Sequence, residues 1–244
     1  MFHVGRSGST VLGDLLSQHP LIQWDSEIYN RLFLERAKED ERIPSPIGID
    51  ATEYALKRSQ SFFSRFYGFE VQFFHLRILG AELGPYLAGL GENLRNLRVI
   101  VLERRNTLRV VVSTLAARNT GVWHIKGKQT HRSEPVHIDV NAVVMGRKTG
   151  KLIDILTEVS RDFADLQTLV QQYPYVYLTY EEDVLVDPTA AYEKICNHLD
   201  LPSYPVSVRL SRTNPGPLYE KIANFDEVSS LLHGTAFEWM LYSQ

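Results

Sequence analysis

One arrangement at the start of the chain limits the fold more than any other. A short apolar run, Phe2-His3-Val4, leads into Gly5-Arg6-Ser7-Gly8-Ser9-Thr10 and then into the helix-like Val11-Leu12-Gly13-Asp14-Leu15-Leu16. A strand, a glycine-bearing turn and a helix N-terminus in that order aim several backbone N–H groups, and the positive end of the helix dipole, at one point. Gly5 and Gly8 let the chain turn tightly, Ser7, Ser9 and Thr10 add hydroxyls, and Arg6 adds a planar cation suited to phosphate or sulfate. The Gly-x-x-x-x-Gly-Lys-Ser/Thr pattern of nucleoside triphosphatases is absent, because Ser9-Thr10 and no lysine follow the second glycine. Taken alone, the loop is either an anion site or a strand-to-helix turn without a ligand.

A second segment has the same form. Leu97-Arg98-Val99-Ile100-Val101-Leu102 is a near-continuous apolar run of the kind buried on both faces of a parallel sheet, and it ends in Glu103-Arg104-Arg105-Asn106. Thr107 to Arg118 follows without Gly or Pro and reads as a helix that relies on burial, since its three valines lower helix propensity. Arg105 then stands at the carboxyl edge of a strand, where open α/β sheets bind ligands, and Ser113 lies on the next helix.

Together these segments resemble those of sulfotransferases that use 3′-phosphoadenosine 5′-phosphosulfate (PAPS). In that family an N-terminal strand-loop-helix binds the 5′-phosphosulfate, matching Gly5 to Thr10. A later strand-turn-helix with an Arg followed eight residues on by a Ser binds the 3′-phosphate, matching Arg105 and Ser113. The Arg-Ser-Gly-Ser-Thr form of the first loop is similar to the bacterial carbohydrate branch, trehalose sulfotransferases included. Less specific likenesses run through Leu178 to Asp183, Asp187-Pro188, Arg212 to Pro215 and Asn224-Phe225. The resemblance implies a P-loop-like α/β fold with a central, mostly parallel sheet flanked by helices. It also implies PAPS as co-substrate, adenosine 3′,5′-bisphosphate as product, and a hydroxyl of a carbohydrate, lipid or other small molecule as acceptor. Two other classes stay open: a nucleoside-phosphate kinase, disfavoured by the missing Gly-Lys-Ser/Thr, and a nucleotide-binding protein without catalysis.

Composition sets limits. The 244 residues, 44% hydrophobic and 23% charged, suffice for a full core and are read as one domain, 1–244. A net charge of −3 gives no generally basic surface for nucleic acid, so a bound anion must be held by local cations. The single cysteine, Cys196, lies on the apolar side of an expected helix and reads as a buried thiol. Neither a secretory leader pattern nor an apolar run of membrane length occurs, which gives the expectation of a cytoplasmic protein.

Further elements follow from pattern. Ser26 is a candidate cap for a helix from Glu27 to about Asp40, and Asp50-x-x-Glu53 for one reaching about Phe66. Gly68 to Phe74 and Tyr175 to Tyr180 read as strands. From Asp139 to Tyr173 a helical region, interrupted near Gly146 and Gly150, carries Leu152, Ile155, Leu156, Val159, Phe163, Leu166 and Val170 on one face. Asp187-Pro188 starts another helix, with Tyr192, Ile195, Cys196 and Leu199 inward. The polar run 119–136 is the candidate mobile lid.

Sulfuryl transfer needs a grip on the moving group, a grip on the nucleotide and a base. Arg6 is expected to stabilise charge on the leaving oxygen, with Ser7 to Thr10 as further donors; a surface ion pair is its alternative. Arg105 and Ser113 are expected at the 3′-phosphate, and Arg212 is the match for a late basic loop in the family. Candidate bases are Glu27, supported by a glutamate at the corresponding place in trehalose sulfotransferases, and then His75 and His124. Glu27 could equally be a first-turn carboxylate. Trp123, His124, Lys126, Lys128, His131 and Arg132 form either an acceptor surface or a solvated basic loop. The eight histidines show no metal-ligand spacing, so no metal site is expected.

Overall fold

The computed structural model describes residues 1–39, 48–61, 64–126, 134–146, 148–211, 213 and 215–243. In chain order the first elements are β1 (Phe2–His3), α1 (Ser9–Ser17), β2 (Ile22–Glu27), α2 (Ile28–Glu39), α3 (Ala51–Ser59), β3 (Phe66–Gln72), α4 (Phe73–Leu79), α5 (Leu83–Asn93) and β4 (Val99–Glu103). Then come α6 (Thr107–Thr120), β5 (Ile125–Lys126), β6 (Val143–Met145), β7 (Lys148–Gly150), α7 (Leu152–Val170), β8 (Tyr175–Thr179), α8 (Pro188–His198), β9 (Leu210–Ser211) and α9 (Phe225–Leu232).

Five strands pair in the order β2-β3-β1-β4-β8, all parallel. The chain leaves β1 for one side of the sheet and later fills the other, so the turn after β1 opens at the topological switch point. Alternate residues of β4 explain its unbroken apolar run. Val99 and Val101 pack with Phe2, Val71, Leu87 and Leu166, whereas Ile100 and Leu102 pack with Leu12, Leu15 and Leu16 of α1 and with Tyr192, Ile195 and Cys196 of α8. Each fully buried leucine contributes about 1.5–3 kcal/mol. A third cluster joins α6, the first turns of α7 and α9. The sheet and both helical layers therefore match the α/β expectation.

Several boundaries differ from the sequence reading. Ser26 does not cap a helix. It sits in β2 at φ 44, inside a bulge between Trp24↔Gly68 and Glu27↔Glu70, and α2 starts only at Ile28. Pairing with β3 outcompetes the local capping preference here. Asp50 does cap α3, accepting from the Glu53 amide at 2.9 Å, but the helix ends at Ser59. β3 stops at Gln72, and Phe73 and Phe74 open α4 instead of extending the strand. The expected long helix is preceded by a hairpin: Val143 pairs with Gly150 and Met145 with Lys148, with Gly146 at φ 59. Two glycines and β-branched Val143-Val144 favour that turn over helix. All seven residues of the expected apolar face of α7 are buried. Asp187 and Pro188 start α8 as expected.

Candidate active site

The loop after β1 is shaped by two left-handed residues, Arg6 at φ 65 and Gly8 at φ 88. Gly8 is the N-cap of α1, so first-turn amides without intrahelical acceptors open on the loop. A Cβ at Gly8 would meet the Tyr180 ring at 2.9 Å and Val184 at 3.0 Å, which adds a steric reason to the conformational one. Tyr180 begins a π-helical turn, Tyr180–Val184, directly after β8.

Arg104 lies on the other side of Tyr180. Its guanidinium stacks on that ring at 4.2 Å and donates from Nη1 to the Arg6 carbonyl at 2.8 Å, fixing the strained residue of the loop. Burial pulls its pKa down to about 10, so it stays cationic at neutral pH. Its Nε has no hydrogen-bond partner among the described residues, and neither has the buried Ser7 Oγ.

Arg6 draws three segments together. Its Nε donates to Ser113 Oγ at 2.9 Å, its Nη2 to Thr213 Oγ1 at 2.8 Å, and its Nη1 to the Trp123 carbonyl. Desolvation lowers its pKa, with Tyr180 opposing. Next to it a narrow cleft of roughly 30 Å³ is lined by Arg104, Arg109, Ser113, Tyr180, Thr213 and Lys221, among others. Arg109 is held by carbonyls, donating to Gly216 O and Ser243 O, each at 3.0 Å. The fold thus brings the first loop and Ser113 into contact.

Arg105 is elsewhere. It is exposed, pairs with Glu182 at 2.6 Å and does not line the cleft; Glu181 accepts from the amides of Arg105 and Asn106. Arg212 lies outside the described residues, as do Lys128, His131 and Arg132. Sequence reasoning passed over Arg104 and Arg109. The four-residue spacing from Arg109 to Ser113 puts both on one face of α6 and was a usable signal. Nothing in the sequence separates Arg104 from Arg105, because the choice is made by Tyr180 and the Arg6 carbonyl.

On the β3 side of β1 stands a carboxylate–imidazole group. The bulge in β2 turns Glu27 toward the face that carries Trp24 and Glu70. Glu27 is therefore a strand-end residue, not a first-turn helical carboxylate. Its Oε1 accepts from Gln72 Nε2 at 2.5 Å, and a Cβ at Gly5 would lie 3.1 Å from Gln72 Oε1, so one glutamine separates this carboxylate from the loop. Burial raises the Glu27 pKa, Glu70 adds to the rise, and His3 and Gln72 oppose it. Glu70 is more buried, yet its pKa is lowered: burial, the largest influence, pushes it up, and His3, Trp24 and Ser9 together outweigh that. Trp24 Nε1 donates to Glu70 at 2.8 Å, and both fit against α1 because Gly13 has no side chain. Ser9 thus serves Glu70, while Thr10 is exposed.

His75 has a defined tautomer. Its Nδ1 accepts from the Gln72 amide at 3.2 Å, so in the neutral ring Nε2 carries the hydrogen, 3.7 Å from Glu27 Oε2. Burial pulls its pKa down to about 3. A neutral ring whose acceptor nitrogen is committed to backbone is poorly placed to remove a proton. Exposed His124 lies near enough to Arg6 for that charge, second to burial, to lower its pKa.

The expectation of no metal site rested on linear spacing. The fold assembles His3, Glu27 and Glu70 from three strands, with one ligand atom of each within 4.8 Å of the others. Glu27 accepts from Gln72, whereas His3 Nε2, 3.1 Å from Glu70, and His75 Nε2, 3.7 Å from Glu27, are buried without a hydrogen-bond partner among the described residues. The segment 119–136, expected as a lid, is tied at both ends. β5 pairs antiparallel with β9, and Val136 exchanges backbone hydrogen bonds with Lys221 and Ala223, each 2.8 Å; 127–133 lie outside the described residues. Among the described residues no helix is long and apolar enough to cross a membrane.

No family model matches the sequence, and no curated protein is found similar to it. Among solved structures, a crystal structure of a sulfotransferase from Alicyclobacillus acidocaldarius superposes over 98% of this chain and 94% of its own, with 14% identity and a TM-score of 0.49.

Proposed function

We propose that this chain is a sulfotransferase moving a sulfuryl group from PAPS to an acceptor hydroxyl. The observation that carries the reading is the Arg6 Nε to Ser113 Oγ hydrogen bond of 2.9 Å, which closes two separate strand-turn-helix units on one cationic cleft. Two buried polar atoms without partners among the described residues, Ser7 Oγ in the loop and Arg104 Nε at the cleft, suit an anionic ligand. The loop amides, those of Ser9 and Thr10 included, would hold the 5′-phosphosulfate together with Arg6 and Ser7. Arg104, Arg109, Ser113 and Lys221 would hold the 3′-phosphate, and Arg105 is left outside by its pair with Glu182.

In the reaction the acceptor oxygen bonds to sulfur as the sulfur–oxygen bond to the 5′-phosphate breaks. The leaving oxygen keeps the electron pair, and adenosine 3′,5′-bisphosphate departs. Arg6 stabilises that growing charge. Glu27 takes the acceptor proton; its raised pKa makes it a stronger base than an ordinary carboxylate, and Gln72 orients it.

Calorimetry with adenosine 3′,5′-bisphosphate beside ADP and ATP tests the nucleotide, and labelled PAPS with an acceptor screen tests transfer. Preference for the bisphosphate and label transfer are expected; preference for ATP would replace this reading with a kinase-like one. Arg6→Ala should lose roughly 10²–10³-fold in turnover. Near-normal turnover would remove Arg6 from the chemistry.

A further inference from the structure

A second cavity, of about 350 Å³, reaches Gln72, whose side-chain amide donates to Glu27, and Val4, the residue before the anion loop. Its walls are Val4, Phe73, Phe74, Met145, Ile155 and Val159, brought together by β1, α4, the β6–β7 hairpin and α7. Val4 directly precedes the loop, and Gln72 stands between the cavity and the proposed base, so a molecule filling this cavity has one end at Val4 and Gln72, one side chain away from Glu27. This size falls in the range of small-molecule sites.

From this lining we infer that the cavity takes an uncharged, largely apolar alcohol or phenol, and that this compound, not a sugar, is the acceptor. The inference rests on the sulfuryl-transfer reading for the word acceptor, while the ligand class rests on the cavity alone. Four charged residues also line the cavity, but they neutralise one another. Arg77 pairs with Glu158 at 3.1 Å and with Asp162, and Lys148 pairs with Glu158. Two cations and two anions in mutual contact leave no surplus charge to recognise an ionic ligand. The amide nitrogen of Gln72 is already given to Glu27. Most of the lining is apolar, so a sugar entering here would set several of its hydroxyls against Phe, Met, Ile and Val side chains, which is unfavourable. An apolar body gains from the same walls, and its single hydroxyl is the group that Glu27 needs.

The cavity mouth can be altered without touching the proposed chemistry. Met145 and Phe74 are both half-buried, and the Phe74 ring packs on Gly146, where an added Cβ would come within 3.1 Å. Met145→Trp should narrow the space, and Phe74→Ala should widen it. The test measures binding of 2-naphthol, 1-decanol and trehalose by calorimetry to wild type and both variants. Melting curves and adenosine 3′,5′-bisphosphate binding serve as folding controls, and turnover with labelled PAPS follows. Expected results are binding and sulfation of the two apolar alcohols and neither for trehalose. Met145→Trp should lose at least tenfold in 2-naphthol affinity with bisphosphate binding unchanged. If Met145→Trp fails to fold, Phe74→Ala should shift preference from 2-naphthol toward the longer alcohol. Trehalose bound or sulfated in preference, or apolar binding indifferent to both substitutions, overturns the inference. Apolar alcohols bound in this cavity without any transfer of label would uphold the ligand class and remove the sulfotransferase reading instead.

Discussion

The two flanks of β1 hold buried charge in opposite ways. On the β4 side, the guanidinium groups of Arg104 and Arg109 donate to carbonyls of Arg6, Gly216 and Ser243, and Arg104 adds the face of Tyr180. Carbonyls satisfy a donor without cancelling its charge. On the β3 side, Glu27 and Glu70 accept from the neutral groups Gln72 Nε2 and Trp24 Nε1, with His3 and His75 beside them. One flank is suited to holding an anion, the other to taking a proton. Group transfer between two oxygens needs these jobs kept apart, because a carboxylate among the arginines would pair with them and lose both functions.

The largest expected effect tests the β3 flank. Glu27→Gln keeps shape and the Gln72 contact but deletes the basic oxygen, so turnover should fall roughly 10²–10⁴-fold while bisphosphate affinity holds. Stability gives an independent sign. Burial raises the Glu27 pKa in the folded state, so once pH exceeds that value the folded protein carries a charge it disfavours. At neutral pH the glutamine variant should therefore be as stable as wild type or more so by urea unfolding. A variant both inactive and clearly destabilised would make Glu27 a structural residue.

A smaller effect tests the β4 flank. Arg104→Gln should weaken adenosine 3′,5′-bisphosphate roughly 10–100-fold, the value of one charge-assisted hydrogen bond of about 1.5–3 kcal/mol, and leave AMP nearly unchanged. Arg105→Ala, which removes only an exposed pair with Glu182, should change either affinity by less than about threefold. The reverse pattern would return the 3′-phosphate to Arg105.

That adjacent pair marks how far the sequence could be read. Both strand-turn-helix units, the two-faced burial of β4 and the inward face of α7 follow from local patterning, which the tertiary structure reinforces. Glu27 was legible as a residue but not as a position. Its direction depends on a bulge at Ser26 forced by pairing with Phe66–Gln72, forty residues away in the chain. The His3–Glu27–Glu70 group was invisible for the same reason: three strands contribute one residue each, and no linear spacing records which strands become neighbours. The 143–150 hairpin was misread because a helical pattern after it extends plausibly backward through two glycines.

The smallest expected effect concerns His75 and separates a buried neutral ring from a proton-removing base on the β3 flank. With its folded pKa pulled down to about 3 from 6.5 by burial, the ring stays neutral in the native state while its unfolded counterpart takes up a proton below pH 6.5. The unfolded state then binds more protons between about pH 6.5 and 3, so wild-type stability should fall as pH falls through that window, by at most about 1.4 kcal/mol per pH unit. Glu27 works in the other direction, since a raised carboxyl pKa makes the folded state the greater proton binder just above 4.5. Urea unfolding at pH 7, 6 and 5, repeated in the Glu27→Gln background to remove that opposing contribution, follows the imidazole. His75→Gln should be less stable at pH 7 yet show a flatter decline to pH 5, and its turnover should drop less than that of Glu27→Gln. Parallel declines in wild type and variant would mean that the folded protein already holds His75 protonated. The ring would then face Glu27 as a cation, and the division of charge between the two flanks of β1 would fail at that point.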